Sequence, residues 1–206
     1  MKDLIIFGDS YSTFEGQMPE GYSTYYPRLD VVNKEQTWWS LFCEKTGCKI
    51  IRNDSWSGST IGNTGYNNYD CSKTSSFICR YKKLKQSGFF NDKVVDTVIV
   101  FGGTNDSWAD APLGKMRFSA WREKDLYEVL PAVCYLLYSL KTDLPDAEII
   151  CVINTDLKDE IADCMEQAAK RYGLISVRLH DIDKENGHPT AQGMAEICEQ
   201  LLSACK

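Results

Sequence analysis

The fold is decided by one apolar stretch and the polar turn after it, Leu4-Ile5-Ile6-Phe7-Gly8-Asp9-Ser10. Four consecutive apolar residues predict a short strand that is buried on both faces, as strands of parallel sheets are. Gly8 permits a tight turn without a side-chain clash. Asp9 and Ser10 therefore follow the carboxyl end of the strand, where ligands bind in open α/β sheets. Ser10 is accordingly a candidate nucleophile, although Ser and Asp at such a position also commonly cap a helix.

Outward from this stretch, predicted strands and helices alternate along the chain. Further strands are predicted at residues 50–53, 94–101, 148–153 and 174–179, and helices at 37–47, 75–86, 125–140, 157–172 and 190–205. This alternation predicts a parallel sheet that is covered by helices on both faces. We expect one domain over residues 1–206, with a three-layer α/β/α fold and a flavodoxin-like five-stranded parallel sheet.

Composition and charge narrow the function classes. The 206 residues are 43% hydrophobic and 25% charged, which is ordinary for a soluble globular protein. The net charge of -6 argues against a nucleic-acid-binding protein, which usually presents a basic face. No secretory signal is recognisable, and the longest apolar run, 129–140, contains Pro131 and is too short to span a bilayer. We therefore expect no nucleic-acid partner and no membrane anchor.

Nine cysteines are scattered along the sequence without a Cys-x-x-Cys pair. Cys43 and Cys48 lie close together, but no neighbouring histidine completes a zinc site. The sequence also lacks the Gly-x-Gly-x-x-Gly fingerprint of dinucleotide-binding proteins. We expect neither a metal nor a cofactor, and scattered free thiols favour a cytoplasmic location.

Polar residues at the ends of the predicted strands form a second pattern. The polar turns after the first three strands and the loop after the fifth are expected at the same edge of the sheet, and they supply Ser10, Gly58, Asn105 and His188. Acyl transfer needs a hydroxyl nucleophile, a general base and N–H donors for the oxyanion, and these residues can supply all three. The other histidine, His180, follows a strand directly, and a core or surface role is expected for it.

The same positions resemble the sequence blocks of the SGNH, or GDSL-type, hydrolases. The matching residues are Gly8-Asp9-Ser10, Gly58 with Asn53 and Thr60, Gly103-Thr104-Asn105-Asp106, and His188-Pro189 with Gly193. Four blocks in the right order, spread from residue 8 to residue 193, make this resemblance specific. The resemblance implies the SGNH hydrolase fold and a carboxylic ester hydrolase. One departure is Ser55, where the family usually has glycine.

The resemblance also implies roles for individual residues. Ser10 would be the nucleophile and His188 the base, while the Ser10 and Gly58 backbone N–H groups and the Asn105 amide would form the oxyanion hole. The family's aspartate position, three residues before the histidine, holds Glu185. Glu185 is therefore the predicted catalytic acid. Asp183, Asp181 or a backbone carbonyl that orients the histidine of a Ser-His dyad remain alternatives.

The sequence thus predicts a serine esterase that acts on a small-molecule ester through a seryl acyl-enzyme. An acetyl group on a carbohydrate is one candidate substrate, because Trp108, Trp121 and the tyrosine-rich segment 11–33 can stack on sugar rings. That segment is equally well interpreted as a binding loop or as a packed surface loop, and residues 107–121 are predicted to be an insertion. The alternative function is a non-catalytic glycan- or peptide-binding module on the same fold.

Overall fold

The structure is a computed structural model, which describes residues 2–205. Its centre is a five-stranded parallel sheet of β1 (Asp3–Gly8), β2 (Lys49–Ser55), β3 (Thr97–Gly102), β4 (Glu148–Ile153) and β5 (Ile175–Arg178). The strand order is β2-β1-β3-β4-β5, and every pair is parallel. Strands β6 (Lys184–Glu185) and β7 (His188–Pro189) form a separate antiparallel hairpin. The predicted five-stranded parallel sheet is therefore confirmed.

Seven helices surround the sheet in the described part of the chain. They are α1 (Trp38–Thr46), α2 (Phe77–Gln86), α3 (Phe89–Asp92), α4 (Thr104–Trp108), α5 (Val129–Asp143), α6 (Asp159–Tyr172) and α7 (Ala191–Ala204). Helices α2, α5 and α6 pack on one face of the sheet, and α1 and α7 pack on the other. No helix within residues 2–205 is both long and apolar enough to cross a membrane.

Strand β1 explains how an uninterrupted apolar run serves two cores. Ile5 and Phe7 belong to the core beneath α2, α5 and α6, whereas Leu4 and Ile6 belong to the core beneath α1 and α7. Successive side chains of a strand point to opposite faces, so a strand between two helical layers must be apolar at every position. All four side chains are fully buried.

Local capping signals set the ends of several helices. The Thr37 side chain accepts a hydrogen bond from the Ser40 N–H at the start of α1, and Gly47 ends that helix in the left-handed region with φ +69°. Helix α5 begins later than predicted. A 3₁₀ turn occupies Glu123–Tyr127, and α5 starts at Val129, so Pro131 lies in its first turn, where no N–H is needed.

Register in the sheet determines where the functional residues lie. Gly8 pairs with Ser55 on β2 and with Phe101 on β3. The turns that carry Ser10 and Gly58, together with α4 after β3, therefore leave the sheet at the same edge.

Candidate active site

Ser10 and His188 lie in direct contact at the carboxyl edge of the sheet. Ser10 opens a single 3₁₀ turn, Ser10–Ser12, in which the Asp9 side chain accepts a hydrogen bond from the Tyr11 N–H. His188 belongs to the β6–β7 hairpin, and its Nε2 lies 3.0 Å from the Ser10 Oγ. Both side chains are buried. The arrangement is that of a hydroxyl nucleophile beside a nitrogen base.

The second imidazole nitrogen faces a backbone oxygen. His188 Nδ1 lies 3.2 Å from the Asn186 carbonyl oxygen, which can only accept. Nδ1 therefore carries the proton, and the lone pair of Nε2 is directed to the Ser10 hydroxyl. Asn186 and Gly187 both have positive φ, 51° and 77°, as a two-residue hairpin turn of the primed type requires.

The structure does not bring the predicted acid to this imidazole. Glu185 is solvent-exposed, and no hydrogen bond joins its carboxylate to His188 among residues 2–205. Asp183 instead accepts from the Thr190 hydroxyl, and Asp181 contacts His180. The arrangement corresponds to the alternative of a Ser-His dyad oriented by a carbonyl. The physical reason is the tight turn, which places a main-chain oxygen against Nδ1.

Three tyrosines from the segment 11–33 hold the histidine loop. The Tyr11 hydroxyl donates to the Gly187 carbonyl, and the Tyr26 hydroxyl donates to the Pro189 carbonyl at 2.6 Å. The Tyr25 ring stacks on the imidazole with 3.6 Å between centroids and 5° between planes. Tyr11 and Tyr26 are fully buried. The segment thus packs inward and supports the site, so the packed-loop interpretation fits it better than a free binding loop.

The surroundings of His188 favour the neutral imidazole. Burial lowers the pKa of His188 below its ordinary value of 6.5, and the positive charges of Arg28 and Lys184 act in the same direction. The hydrogen bond to the Asn186 carbonyl opposes this change. At neutral pH the imidazole is therefore unprotonated and can accept a proton from Ser10.

The second half of the site is built from Gly58 and Asn105. Gly58 has φ +81° and is exposed, so its position requires a glycine backbone and leaves open space around it. The Ser10 and Gly58 N–H groups have no hydrogen-bond acceptor within residues 2–205. Asn105 on α4 donates from Nδ2 to the Ser59 carbonyl at 3.0 Å, which fixes the amide against the Gly58 loop. These are the donors that an oxyanion would need.

Position 8 requires a glycine because there is no room for a side chain. A Cβ on Gly8 would lie 2.4 Å from the Ser55 Oγ and 2.5 Å from the Ser12 Cβ, and the residue has no positive φ. Gly8 is therefore explained by the close packing of β1 against β2 and against the Ser10–Ser12 turn, and not by the tight turn that was predicted from the sequence. Ser55 takes part in this packing and donates to Asn53 Oδ1 at 2.6 Å.

A buried ionic network lies beneath the two halves of the site, the Ser10–His188 pair and the Gly58–Asn105 pair. Arg80 of α2 is fully buried, and its Nη2 donates to the Gly8 carbonyl at 3.1 Å and to the Ser59 Oγ at 3.0 Å. Its Nη1 lies 3.6 Å from Asp54 Oδ2. Arg80 therefore connects the strand that precedes Ser10 to the loop that carries Gly58.

Two further buried carboxyl groups, Asp9 and Asp106, directly precede Ser10 and follow Asn105 in sequence. Asp106 accepts from the Ile61 N–H at 2.9 Å and from the Gly62 N–H at 3.1 Å, which anchors the Gly58 loop to α4. Burial raises the pKa of Asp106 to about 6, and burial raises the pKa of Asp9 to about 7. Three backbone N–H groups oppose the rise in the pKa of Asp106, whereas one backbone N–H, that of Tyr11, opposes it at Asp9, and the negative charge of Asp106 raises the pKa of Asp9 further.

Exposed aromatic side chains border the site on two sides. Trp108 is 45% exposed and meets the imidazole edge-on at 5.6 Å. Tyr66 is 40% exposed and contacts Asn105. Trp121, which was expected to stack on a sugar, packs instead against Tyr135 and Tyr138 of α5. The structure therefore removes Trp121 from the group of candidate substrate-binding residues.

Three residues at the site were not predicted from the sequence: Asn186, Arg80 and Tyr66. Asn186-Gly187 is a strong hairpin signal that identifies the turn before His188. Arg80 lies on the apolar face of α2, three residues after Phe77, and a charge on such a face indicates a buried partner. No local signal distinguishes Tyr66 from the other tyrosines.

Comparisons with known proteins identify the family of the chain. The family model for GDSL-like lipase/acylhydrolase matches residues 2–205. A chain from Bacteroides uniformis described as a GDSL-like lipase is 42% identical with a TM-score of 0.90, over 98% of this chain and 94% of that chain. One from Bacteroides ovatus with the same description is 40% identical with a TM-score of 0.90, over 98% and 97%.

More distant structures share the fold. An acetyl xylan esterase from Butyrivibrio proteoclasticus is 17% identical with a TM-score of 0.62, over 98% of this chain and 62% of that chain. At this identity the likeness concerns the fold alone. A comparison with curated proteins gave no match.

Proposed function

The protein is an enzyme of the GDSL-like lipase/acylhydrolase family, and from this premise we propose that it is a serine esterase that acts through a seryl acyl-enzyme. The observation that carries the proposal is the 3.0 Å contact between Ser10 Oγ and His188 Nε2. A nucleophile must lie within hydrogen-bond reach of its base, and here both groups are buried at the sheet edge where α/β enzymes bind ligands.

In the acylation step, Ser10 Oγ attacks the ester carbonyl carbon while His188 Nε2 accepts the hydroxyl proton. The carbonyl oxygen becomes an oxyanion, which accepts hydrogen bonds from the Ser10 and Gly58 N–H groups and from Asn105 Nδ2. When the tetrahedral intermediate collapses, the bond to the alcohol oxygen breaks, and Nε2 returns its proton to the leaving alkoxide. The acyl group remains on Ser10.

In the deacylation step, water takes the place of the alcohol. Nε2 accepts a proton from the water as the water oxygen attacks the acyl carbon. The same three donors bind the second oxyanion. Collapse releases the carboxylic acid and returns the proton to Ser10. Each oxyanion donor is worth roughly 3 kcal/mol of transition-state stabilisation.

As the substrate we propose a small acyl group, such as acetyl, on a carbohydrate. The support is the pair of exposed aromatic residues at the site: Trp108 lies beside the base, and Tyr66 lies beside the oxyanion donor. Aromatic faces of this kind stack on sugar rings.

The first test is hydrolysis of p-nitrophenyl acetate, butyrate and octanoate by the wild type and by Ser10→Ala. We expect the wild type to prefer acetate and Ser10→Ala to lose roughly 10⁴-fold or more of kcat, as loss of a nucleophile does. Ser12→Ala is the matched control. It lies in the same turn, and its hydroxyl has no hydrogen-bond partner in the described chain. We expect it to retain activity.

Equal rates for the wild type and Ser10→Ala would contradict the proposal. Retention of an acetylated oligosaccharide by both proteins, without turnover, would then favour a glycan-binding module. A fluorophosphonate that adds its mass to the wild type and to Ser12→Ala, but not to Ser10→Ala, would support the assignment independently of the substrate.

We further propose that the enzyme works in the cytoplasm on a small-molecule ester, without a nucleic-acid or membrane partner. The support is the acidic net charge of -6 and the nine cysteines, all of which are free thiols in the structure. Fractionation of the source cells should recover the protein with cytoplasmic markers. Recovery with periplasmic or secreted proteins would contradict this location.

A further inference from the structure

The Asn105 side chain has a partner at each end of its amide. Nδ2 donates to the Ser59 carbonyl at 3.0 Å, and Oδ1 accepts from the Tyr66 hydroxyl at 2.8 Å. A backbone carbonyl can only accept, so Nδ2 must face Ser59 and Oδ1 must face Tyr66. One of the two Nδ2 protons binds Ser59, which leaves the other for an oxyanion.

The Tyr66 hydroxyl acts on the far end of the same amide. Because Oδ1 has lone pairs and no proton, the hydroxyl is the donor of this bond. A hydrogen bond donated to an amide oxygen draws electron density toward it and makes the N–H protons more acidic, so bonds in a chain reinforce one another. This effect is largest when negative charge develops opposite Nδ2, which happens in the transition state and not in the bound ester.

Local backbone structure holds Tyr66 in this place. The residue begins a 3₁₀ turn in which the Tyr69 N–H donates to the Tyr66 carbonyl, and the Gly65 N–H donates to the Tyr69 carbonyl. A bridge between Thr64 and Asp70 closes the loop. The ring remains 40% exposed, so it is positioned by the closed turn and by its bond to Asn105 and not by burial in a core.

The electrostatics of the loop keep the hydroxyl protonated. Burial raises the pKa of Tyr66 above its ordinary value of 10.0, and the negative charges of Asp9 and Asp106 raise it further. The hydroxyl therefore remains a donor throughout the pH range of an esterase assay.

We propose that Tyr66 is a positioning residue of the oxyanion hole, whose hydroxyl orients and polarises the Asn105 amide. The proposal rests on the proposed esterase function and adds a group to its mechanism. Tyr66 acts through Asn105, so its contribution belongs to kcat and is absent when the amide is absent.

The test is the steady-state hydrolysis of p-nitrophenyl acetate by Tyr66→Phe, which removes one oxygen atom from a partly exposed side chain. We expect kcat to fall about five- to tenfold, as loss of one neutral hydrogen bond predicts, with KM within about twofold of the wild type. Tyr69→Phe is the matched control from the same loop. Its side chain is 63% exposed and makes no hydrogen bond among the described residues, and its rate should not change.

A double-mutant cycle separates positioning from a general structural role. Asn105→Ala should lower kcat by about 10²- to 10³-fold, and adding Tyr66→Phe to that variant should have no further effect. An equal loss in both backgrounds, a change in KM alone, or wild-type rates for Tyr66→Phe would each overturn the proposal. A thermal melt of each variant identifies any loss that comes from unfolding.

Failure of the esterase function gives a different result. If Ser10→Ala hydrolyses the ester as fast as the wild type, the proposed function fails, and the role of Tyr66 fails with it. If Ser10→Ala is inactive and Tyr66→Phe equals the wild type, the esterase function stands and only the positioning role is wrong.

Discussion

At the scale of single residues, no carboxylate within residues 2–205 binds His188. The Asn186 carbonyl accepts from Nδ1, Tyr25 stacks on the ring, and Trp108 meets its edge. A carbonyl oxygen carries only a partial negative charge, so it fixes the tautomer but raises the pKa of the imidazole less than an aspartate would. Burial and the neighbouring cations therefore dominate, and the pKa of His188 is lowered.

This lowered pKa predicts the pH dependence of the reaction. Only the neutral imidazole accepts the Ser10 proton, so kcat/KM should fall as the pH drops through the pKa of His188, with a midpoint below 6.5. Arg28→Met removes a positive charge that lowers this pKa and should move the midpoint upward. A pH–rate profile of both proteins on p-nitrophenyl acetate measures the two midpoints, and a midpoint above 6.5 in the wild type would be evidence against the prediction.

Glu185→Gln tests whether Glu185 orients His188. Because Glu185 is exposed and makes no hydrogen bond to His188 in the described chain, the variant should keep kcat within about threefold of the wild type. A loss of 10³-fold or more would restore Glu185 as the orienting acid, since replacing the triad acid costs on that order or more.

At the scale of elements, the β6–β7 hairpin that carries His188 depends on the segment that follows β1. Strands β6 and β7 have two residues each, and too few ladder bonds to be stable alone. The Tyr11 and Tyr26 hydroxyls bind carbonyls on both sides of His188. The hairpin is therefore positioned by contacts more than 160 residues away in sequence, 176 for Tyr11 and 163 for Tyr26.

Tyr26→Phe tests this support. It leaves the buried Pro189 carbonyl without its 2.6 Å donor, so we expect a loss of about 1–2 kcal/mol in the free energy of unfolding and a several-fold lower kcat. Chemical denaturation and ester hydrolysis measure the two effects. Tyr138→Phe, on the opposite face of the sheet, is the control and should change neither. Unaltered kcat in Tyr26→Phe would mean that the hairpin holds its geometry without this bond.

The difference between local contacts and contacts over long sequence separations explains what the sequence can predict. Strand β1 and helix α1, which was predicted at 37–47, depend on residues that are close together in sequence, and both were predicted correctly. The family and the five-stranded sheet were also confirmed. The Asn186 carbonyl and the Tyr66 hydroxyl could not be predicted, because their partners are set by tertiary contacts and by main-chain atoms that every residue carries. The roles of Ser10, Gly58, Asn105 and His188 stay predictions.

At the scale of the whole molecule, Arg80 joins parts of the chain that are distant in sequence. Its guanidinium contacts the end of β1, the Gly58 loop and Asp54 on β2. Burial lowers the pKa of Arg80, although nearby negative charges, Asp54 foremost, oppose this change. A buried charge of this kind is costly to leave without partners, so each of these elements must be in place for the others to be stable.

Arg80→Met should therefore destabilise the entire fold. Removing one member of a buried ion pair typically costs about 3–5 kcal/mol, and we expect a loss of that size in urea unfolding followed by far-UV circular dichroism. Lys83→Met on the exposed side of α2 is the control and should stay within about 0.5 kcal/mol of the wild type. Similar losses in both variants would show that the network contributes no more than an ordinary surface charge.

During synthesis on a ribosome, the proposed nucleophile leaves the exit tunnel long before the proposed base. Ser10 and His188 are 178 positions apart, and strands β2 to β5 of the sheet lie between them. At roughly 5–20 residues per second, a growing chain carries the serine for about 10–35 s before the imidazole is made. If Ser10 and His188 act as proposed, a partly translated chain can bury its sheet and still lack the base that activates the serine. Ester hydrolysis would then begin only when translation is nearly complete.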